Sequence, residues 1–135
     1  MIARLYEVYS QKFPEYEDFW MELSREEIEH ADWISGLQAR VEDSSDCFVV
    51  NRFPTGAVKH SIAYVEDLAS GACEPDFLLM NAVSTALYLE RALIENKYFE
   101  VFSGDSLETK RILNALAHST QDHYQRLHRL WQELR

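Results

Sequence analysis

Apolar residues recur every three to four positions along most of the chain, which is the spacing of the buried face of an α-helix. The first half carries two such stripes, Ile2, Leu5, Tyr6, Tyr9 and Phe13, then Trp20, Leu23, Glu27, His30, Ile34 and Leu37. The second half carries two more, Leu79, Val83, Leu87, Glu90, Ile94, Tyr98 and Val101, then Leu113, Leu116, Thr120, His123, Leu127 and Leu130. The pattern therefore predicts four long helices, each with one face towards a core.

Proline and glycine mark the ends of these helices. Proline disfavours a helical residue before it and suits the first helical position, so Phe13-Pro14 ends the first helix and opens the second. Gly104 separates the last two helices. Between the two pairs, residues 54–69 predict a shorter helix, and residues 41–53 predict a loop with a short extended piece.

Short turns make each pair of long helices antiparallel neighbours, and four such stripes close into a bundle. The sequence thus predicts one all-α domain over residues 1–135. Its parts are a hairpin over 1–38, a helical crossover over 39–75 and a second hairpin over 76–135.

Charge and cysteine content exclude several classes of protein. The 135 residues include 23 Asp and Glu against 13 Lys and Arg, a net charge of −10 that repels nucleic acid and anionic lipid. In the apolar second half, the longest stretch without a charged side chain has 13 residues, Phe77 to Leu89, and a bilayer needs about 20. Cys47 and Cys73 form no Cys-x-x-Cys pair, which excludes a zinc ribbon or a rubredoxin-type site. We expect a cytoplasmic protein with no nucleic-acid or membrane partner.

Two ionisable residues interrupt the apolar stripe of the second helix. Glu27 and His30 form Glu-x-x-His, which puts a carboxylate and an imidazole one turn apart on the core face. A buried carboxylate costs several kcal/mol unless it is paired or bound to a metal. Two interpretations remain, a metal site and a hydrogen-bonded Glu–His pair, whereas the nearby charged residues Arg25, Glu26 and Glu29 indicate a solvated helix face.

The second hairpin brings further ligand-type residues to the same level. Glu90 lies 15 residues before the turn near Asp105, and Thr120 lies 15 residues beyond it, so Glu90 should be level with Thr120 and close to His123. The stripe positions of the second helix also match those of the last helix when 93 is added to each residue number, which suggests an internal duplication. Glu27, His30, Glu90 and His123 are therefore the candidate metal ligands.

Two segments of the sequence resemble rubrerythrin-related ferritin-like proteins. The resemblance is to a protein of this family without a rubredoxin domain. LYEVYSQKFPEYEDFWMELSREEIEHADWI resembles their first hairpin, and YVEDLASGACEPDFLLMNAVSTALYLERALIENKYFE resembles their crossover and third bundle helix. The resemblance implies a ferritin-like four-helix bundle that binds two metal ions, usually iron. It implies ligands of one Glu from each of two helices and Glu-x-x-His from each of the other two.

This chain departs from that ligand set at two of six positions. Glu27, His30, Glu90 and His123 match it, but Thr120 stands where the second Glu-x-x-His has glutamate. The glutamate of the first helix would fall just ahead of Met1, and Glu7 lies about 9 Å too near the turn to replace it.

The resemblance and the incomplete ligand set together predict a protein that binds at most one metal ion. Iron is the first expectation, with manganese or zinc as alternatives, and an active protein would be an iron-dependent oxidoreductase of reduced activity. The alternative function is a metal-free bundle that acts as an interaction or sensing module. Aromatic residues outside the core stripes, namely Tyr16, Trp33 and Tyr88, predict a homodimer.

Overall fold

The computed structural model describes residues 1–43, 47–48, 55–95, 102–103 and 107–135. Within them lie five α-helices, α1 (Ile2–Lys12), α2 (Glu17–Asp43), α3 (Thr55–Gly71), α4 (Leu79–Glu95) and α5 (Leu107–Leu134). A 3-10 turn spans Pro14–Tyr16, and two short antiparallel strands, β1 (Cys47–Phe48) and β2 (Phe102–Ser103), pair with each other. The fold is an all-α helical bundle, as predicted, and the short extended piece predicted between residues 41 and 53 is β1. The predicted loop begins too early, because α2 continues through its first three residues to Asp43.

Local chemistry accounts for the helix boundaries. Phe13 leaves the helical region at φ −123° and ψ 76° because Pro14 follows it, and its N–H still donates to the carbonyl of Tyr9. At the start of α4, the side chain of Asn81 accepts a hydrogen bond from the N–H of Leu78 at 2.8 Å, which caps the helix. The side chain of Lys12 donates to the carbonyl of Glu74, tying the end of α1 to the segment that leads into α4.

The helices pack as two hairpins. α1 lies along α2, α4 lies along α5, and the crossover helix α3 packs on α1. The apolar core of the bundle lies at the end that holds the α1–α2 turn and the start of α4. There, rings of Tyr6, Tyr9, Trp20 and Phe77 stack or meet edge to face at 5.0–6.4 Å.

The described residues of the predicted stripes are buried or half-buried, with one clear exception. On α5, the residues from Leu116 to Leu130 that the spacing assigned to the core are all buried. On α2, Ile34 is 39% exposed although it lies on the predicted stripe between the buried His30 and Leu37. Tyr98 and Val101 lie outside the described residues.

Candidate metal centre

A layer of polar side chains crosses the bundle next to its aromatic core. α2 contributes Glu27 and His30, α4 contributes Glu90, and α5 contributes Thr120 and His123. His30, Glu90, Thr120 and His123 are buried, and Glu27 is nearly so. The structure therefore brings the four predicted ligands together from three helices.

The two imidazoles turn the same ring nitrogen inwards, towards the carboxylates. Nδ1 of His123 lies 3.0 Å from Oε1 of Glu27 and 3.3 Å from Oε1 of Glu90, and Nδ1 of His30 lies 3.3 Å from Oε1 of Glu27. The rings themselves stack with centroids 5.2 Å apart. The ligand-type atoms of Glu27, His30 and His123 all lie within 4.8 Å of one another.

The outward ring nitrogens each have a partner on the opposite helix. Nε2 of His123 donates to Oε2 of Glu26 at 2.6 Å, and Nε2 of His30 is hydrogen-bonded to Oγ of Ser119 at 2.7 Å. A hydrogen bond at one ring nitrogen fixes the orientation of the ring. When that nitrogen carries the proton, the other keeps its lone pair for a metal. The outer partners therefore hold both imidazoles in the orientation that a metal ligand needs.

The cross-helix bonds follow the 93-residue offset seen in the sequence. Glu26 on α2 corresponds to Ser119 on α5, and each binds the histidine of the other helix. A twofold repeat of the motif therefore relates the two halves of the site.

One arginine anchors the outer side of the site. Arg126 forms ion pairs with Glu26, with Glu22 at 3.4 Å and with Asp122 at 2.9 Å. Glu22 and Asp122 are mostly exposed, whereas Glu26 is mostly covered and also accepts the His123 hydrogen bond. The arginine thus holds the carboxylate that orients His123.

Tyr6 approaches the layer from α1. Its hydroxyl donates to Oε1 of Glu90 at 2.6 Å, and both side chains are fully buried. Burial, with the charges of Glu90 and Glu27, raises the pKa of Tyr6 well above its ordinary value, so the phenol keeps its proton.

The carboxylates and His123 shift one another's pKa values strongly. Burial lowers the pKa of His123, but the carboxylates of Glu27 and Glu90 outweigh it and raise the pKa to about 10. Burial raises the pKa of Glu27, but the two imidazoles outweigh it and lower the pKa to about 2. For Glu90, burial and the charge of Glu27 prevail, so its pKa is raised. The protonated form of His123 is thus favoured beside the two carboxylates.

Protons alone leave part of this site unsatisfied. Among the described residues, Oε1 of Glu27 and Oε2 of Glu90 are buried without a hydrogen bond. Metal–ligand bonds of about 2.0–2.2 Å place neighbouring ligands about 3.0–3.5 Å apart, which is the spacing found here. Two imidazoles with two carboxylates are also a donor set typical of first-row divalent metals. Glu27, His30 and His123 therefore fit a single ion, and Glu90 adjoins this group through its contact with His123.

Thr120 shows why a second ion is not supported here. It is buried in the layer, as predicted, but its hydroxyl donates to the carbonyl of Leu116 at 3.0 Å, one turn back on its own helix. A hydroxyl used in this way is a poor metal ligand. Glu7, which the sequence analysis excluded, is not among the clustered ligand-type residues of the described chain.

Three participants were not foreseen from the sequence. Glu26 was assigned to a solvated face, and that assignment is wrong because its carboxylate turns inwards to His123. Tyr6 was assigned only to the core stripe, and Ser119 was not singled out. The 93-residue offset could have indicated Ser119, since it relates that position to Glu26.

No protein-family model matches the chain, and comparisons with characterised proteins and with solved structures find no match. The resemblance to rubrerythrin-related proteins therefore stays a prediction from the sequence. Within the described residues, no helix is long and apolar enough to span a bilayer.

Proposed function

We propose that the protein is a rubrerythrin-like member of the ferritin fold that binds at most one metal ion, iron in the first instance. The ion would be held by Glu27, His30, Glu90 and His123. The observation that carries this proposal is the convergence of two inward Nδ1 atoms on Oε1 of Glu27, each imidazole being fixed from behind. A buried hydrogen-bonded pair needs one imidazole, whereas here the Nδ1 atoms of two lie within 3.3 Å of the same oxygen.

The chemistry of a complete di-iron centre is reduced or lost in this proposal. A redox-active ion bound here would supply one-electron chemistry and act as a Lewis acid. Oxidase or peroxidase activity of the di-iron type needs two ions that share carboxylates. Thr120 stands where α5 would contribute a carboxylate to that arrangement, and from α1 the side chain that contacts Glu90 is the phenol of Tyr6.

Metal titration of the purified protein tests the proposal directly. The protein would be stripped with a chelator, reloaded separately with iron(II), manganese(II) and zinc(II), and analysed for bound metal. We expect one ion per chain. Two irons per chain with the absorption of an oxo-bridged pair would contradict the one-ion site, and no tight binding of any of the three would contradict the metal function.

We also propose that the protein is a homodimer, the form in which it could serve as an interaction module if it binds no metal. Tyr88 on α4 is 61% exposed, and its ring meets that of the exposed Tyr64 on α3 edge to face at 6.5 Å. Trp33 is also exposed, but Tyr16 is half-buried against the core and is not available to a partner. Light scattering should give about twice the 15.8 kDa chain mass, and a monomer at micromolar concentration would contradict the dimer.

A further inference from the structure

In the part of the chain that the structure describes, Glu90 has two hydrogen-bond donors, and both reach the same oxygen. The hydroxyl of Tyr6 lies 2.6 Å from Oε1, and Nδ1 of His123 lies 3.3 Å from it. The two donors come from different helices, α1 and α5. They differ in what happens when an ion binds.

An ion that binds His123 takes the place of the proton on Nδ1. Glu90 then loses its hydrogen bond from His123, and Tyr6 is the donor that remains among the partners described for it. The tyrosine is the shorter contact and is independent of metal chemistry. The orientation of Glu90 in the loaded site therefore depends on Tyr6.

Tyr6 is itself held in place by packing. Its side chain is fully buried, and its ring contacts Trp20 at 5.6 Å and Tyr9 at 6.4 Å between centroids. A ring confined in this way cannot swing its hydroxyl away without disturbing the aromatic core.

We propose that Tyr6 is a positioning residue of the metal site, whose hydroxyl fixes the carboxylate of Glu90 for the ion without binding the ion. This inference rests on the proposed metal function. In this inference α1 contributes a hydrogen-bond donor and no ligand. The site then consists of two imidazoles and two carboxylates, and a phenol is hydrogen-bonded to one of the carboxylates.

The same helix offers a matched control. Tyr9 lies one turn further along α1, is also fully buried and also packs on Trp20, at 5.0 Å. Its hydroxyl is not hydrogen-bonded to Glu90, and the polar side chain beside it is that of Thr85. Tyr6→Phe and Tyr9→Phe therefore remove the same atom from neighbouring buried positions, and one of these atoms touches Glu90.

The test titrates the metal-free full chain with cobalt(II), whose visible absorption bands report ligand geometry. Tyr6→Phe should weaken cobalt binding by about 10- to 100-fold, the usual effect of removing an outer partner of a ligand, and should change the bands. Tyr9→Phe should leave both unchanged. If Tyr6→Phe binds as wild type does, with the same bands, the role of Tyr6 is wrong. If wild type binds no cobalt, the metal site itself is wrong and the inference falls with it.

A measurement on the wild-type chain keeps the proposal testable if Tyr6→Phe does not fold. Wild type would be loaded with iron(III) and its visible spectrum recorded. A positioning hydroxyl keeps its proton, so we expect no phenolate-to-iron charge-transfer band. Such a band would identify a tyrosine as a ligand and would overturn the positioning role.

Discussion

The α2 and α5 halves of the site have the same geometry and different chemistry. On α2 the motif contains Glu26, Glu27 and His30, and on α5 the positions 93 residues later are Ser119, Thr120 and His123. Both histidines are buried and turn Nδ1 inwards, and each is held at Nε2 from the opposite helix. The two halves thus share the placement of their histidines, whereas only the α2 half has carboxylates at the two other positions.

The two halves differ in the side chains that determine how many ions bind, although the histidines are positioned in the same way in both. Positions 27 and 120 both face the interior, but Glu27 has a carboxylate oxygen free for a cation and Thr120 bonds to its own helix. One carboxylate in place of two lowers the negative charge that a second ion would need. The predictions below test this difference between the halves.

The largest effect on metal binding is expected in the α2 half of the site, called the acidic half because it contains Glu26 and Glu27. Glu27→Gln replaces the oxygen on which both imidazoles converge with a neutral amide, so metal binding should be lost. The free energy of unfolding of the metal-free protein should fall, because the imidazoles that lower the pKa of the Glu27 carboxyl to about 2 lose their charged partner. Calorimetric titration and chemical unfolding measure the two quantities.

The exposed residue Glu29 provides the control for that change, since Glu29→Gln alters the same charge on the same helix outside the layer. It should bind metal as wild type does. If Glu27→Gln instead binds metal as wild type does while its metal-free form is destabilised, Glu27 serves a hydrogen-bonded pair rather than a metal.

The next-largest effect is expected when a carboxylate is introduced on α5, the half of the site that has none at the motif positions. Thr120→Glu adds a carboxylate beside Glu90 and His123, so it should raise iron affinity and destabilise the metal-free protein by about 3 kcal/mol through repulsion in a buried layer. Iron titration and urea unfolding check both. Thr120→Val, which keeps the size of the side chain, should change neither property much, and an unaltered Thr120→Glu protein would contradict an inward-facing position 120.

The sequence predicted the helices and the meeting of Glu90 with His123 because both follow from helical spacing and from equal distances to a turn. Side-chain reach accounts for much of what it missed. The phenol of Tyr6 extends to Glu90 from a backbone position below the layer, and counting residues along α1 locates only the backbone. The backbone of Glu26 lies at the side of the buried face of α2, and its side chain turns inwards because Arg126 and His123 both bind the carboxylate.

A third test uses the pH dependence of cobalt affinity to count the protons that His123 releases when an ion binds. The pKa of His123 is raised to about 10, so His123 is protonated at neutral pH, whereas Glu27, with a pKa of about 2, is already ionised. Cobalt affinity should therefore rise about tenfold per pH unit between pH 6 and 8, with about one proton released per ion. Titration calorimetry in buffers of different ionisation enthalpy counts that proton, and an affinity independent of pH would contradict the assignment.

The metal-free protein should show the opposite trend with pH. A histidine whose pKa is raised on folding contributes stability that is complete below the unfolded pKa, about 6.5, and is lost as pH rises through about 10. Unfolding of the metal-free chain should become easier between these limits. His123→Gln removes the titrating group and should flatten that part of the profile.

The smallest effect compares the two outer partners, which differ in charge. Glu26 accepts the Nε2 hydrogen bond of His123 as a carboxylate, and such a bond is roughly twice as strong as the neutral one that Ser119 makes with His30. Glu26→Gln should weaken cobalt binding about tenfold, at the lower end of the usual range for an outer partner, and Ser119→Ala should weaken it less. Glu22→Gln, which alters another carboxylate paired with Arg126 but away from His123, is the control and should leave affinity unchanged. If Ser119→Ala costs more than Glu26→Gln, His30 rather than His123 is the imidazole whose orientation limits binding, and the acidic half does not dominate the site.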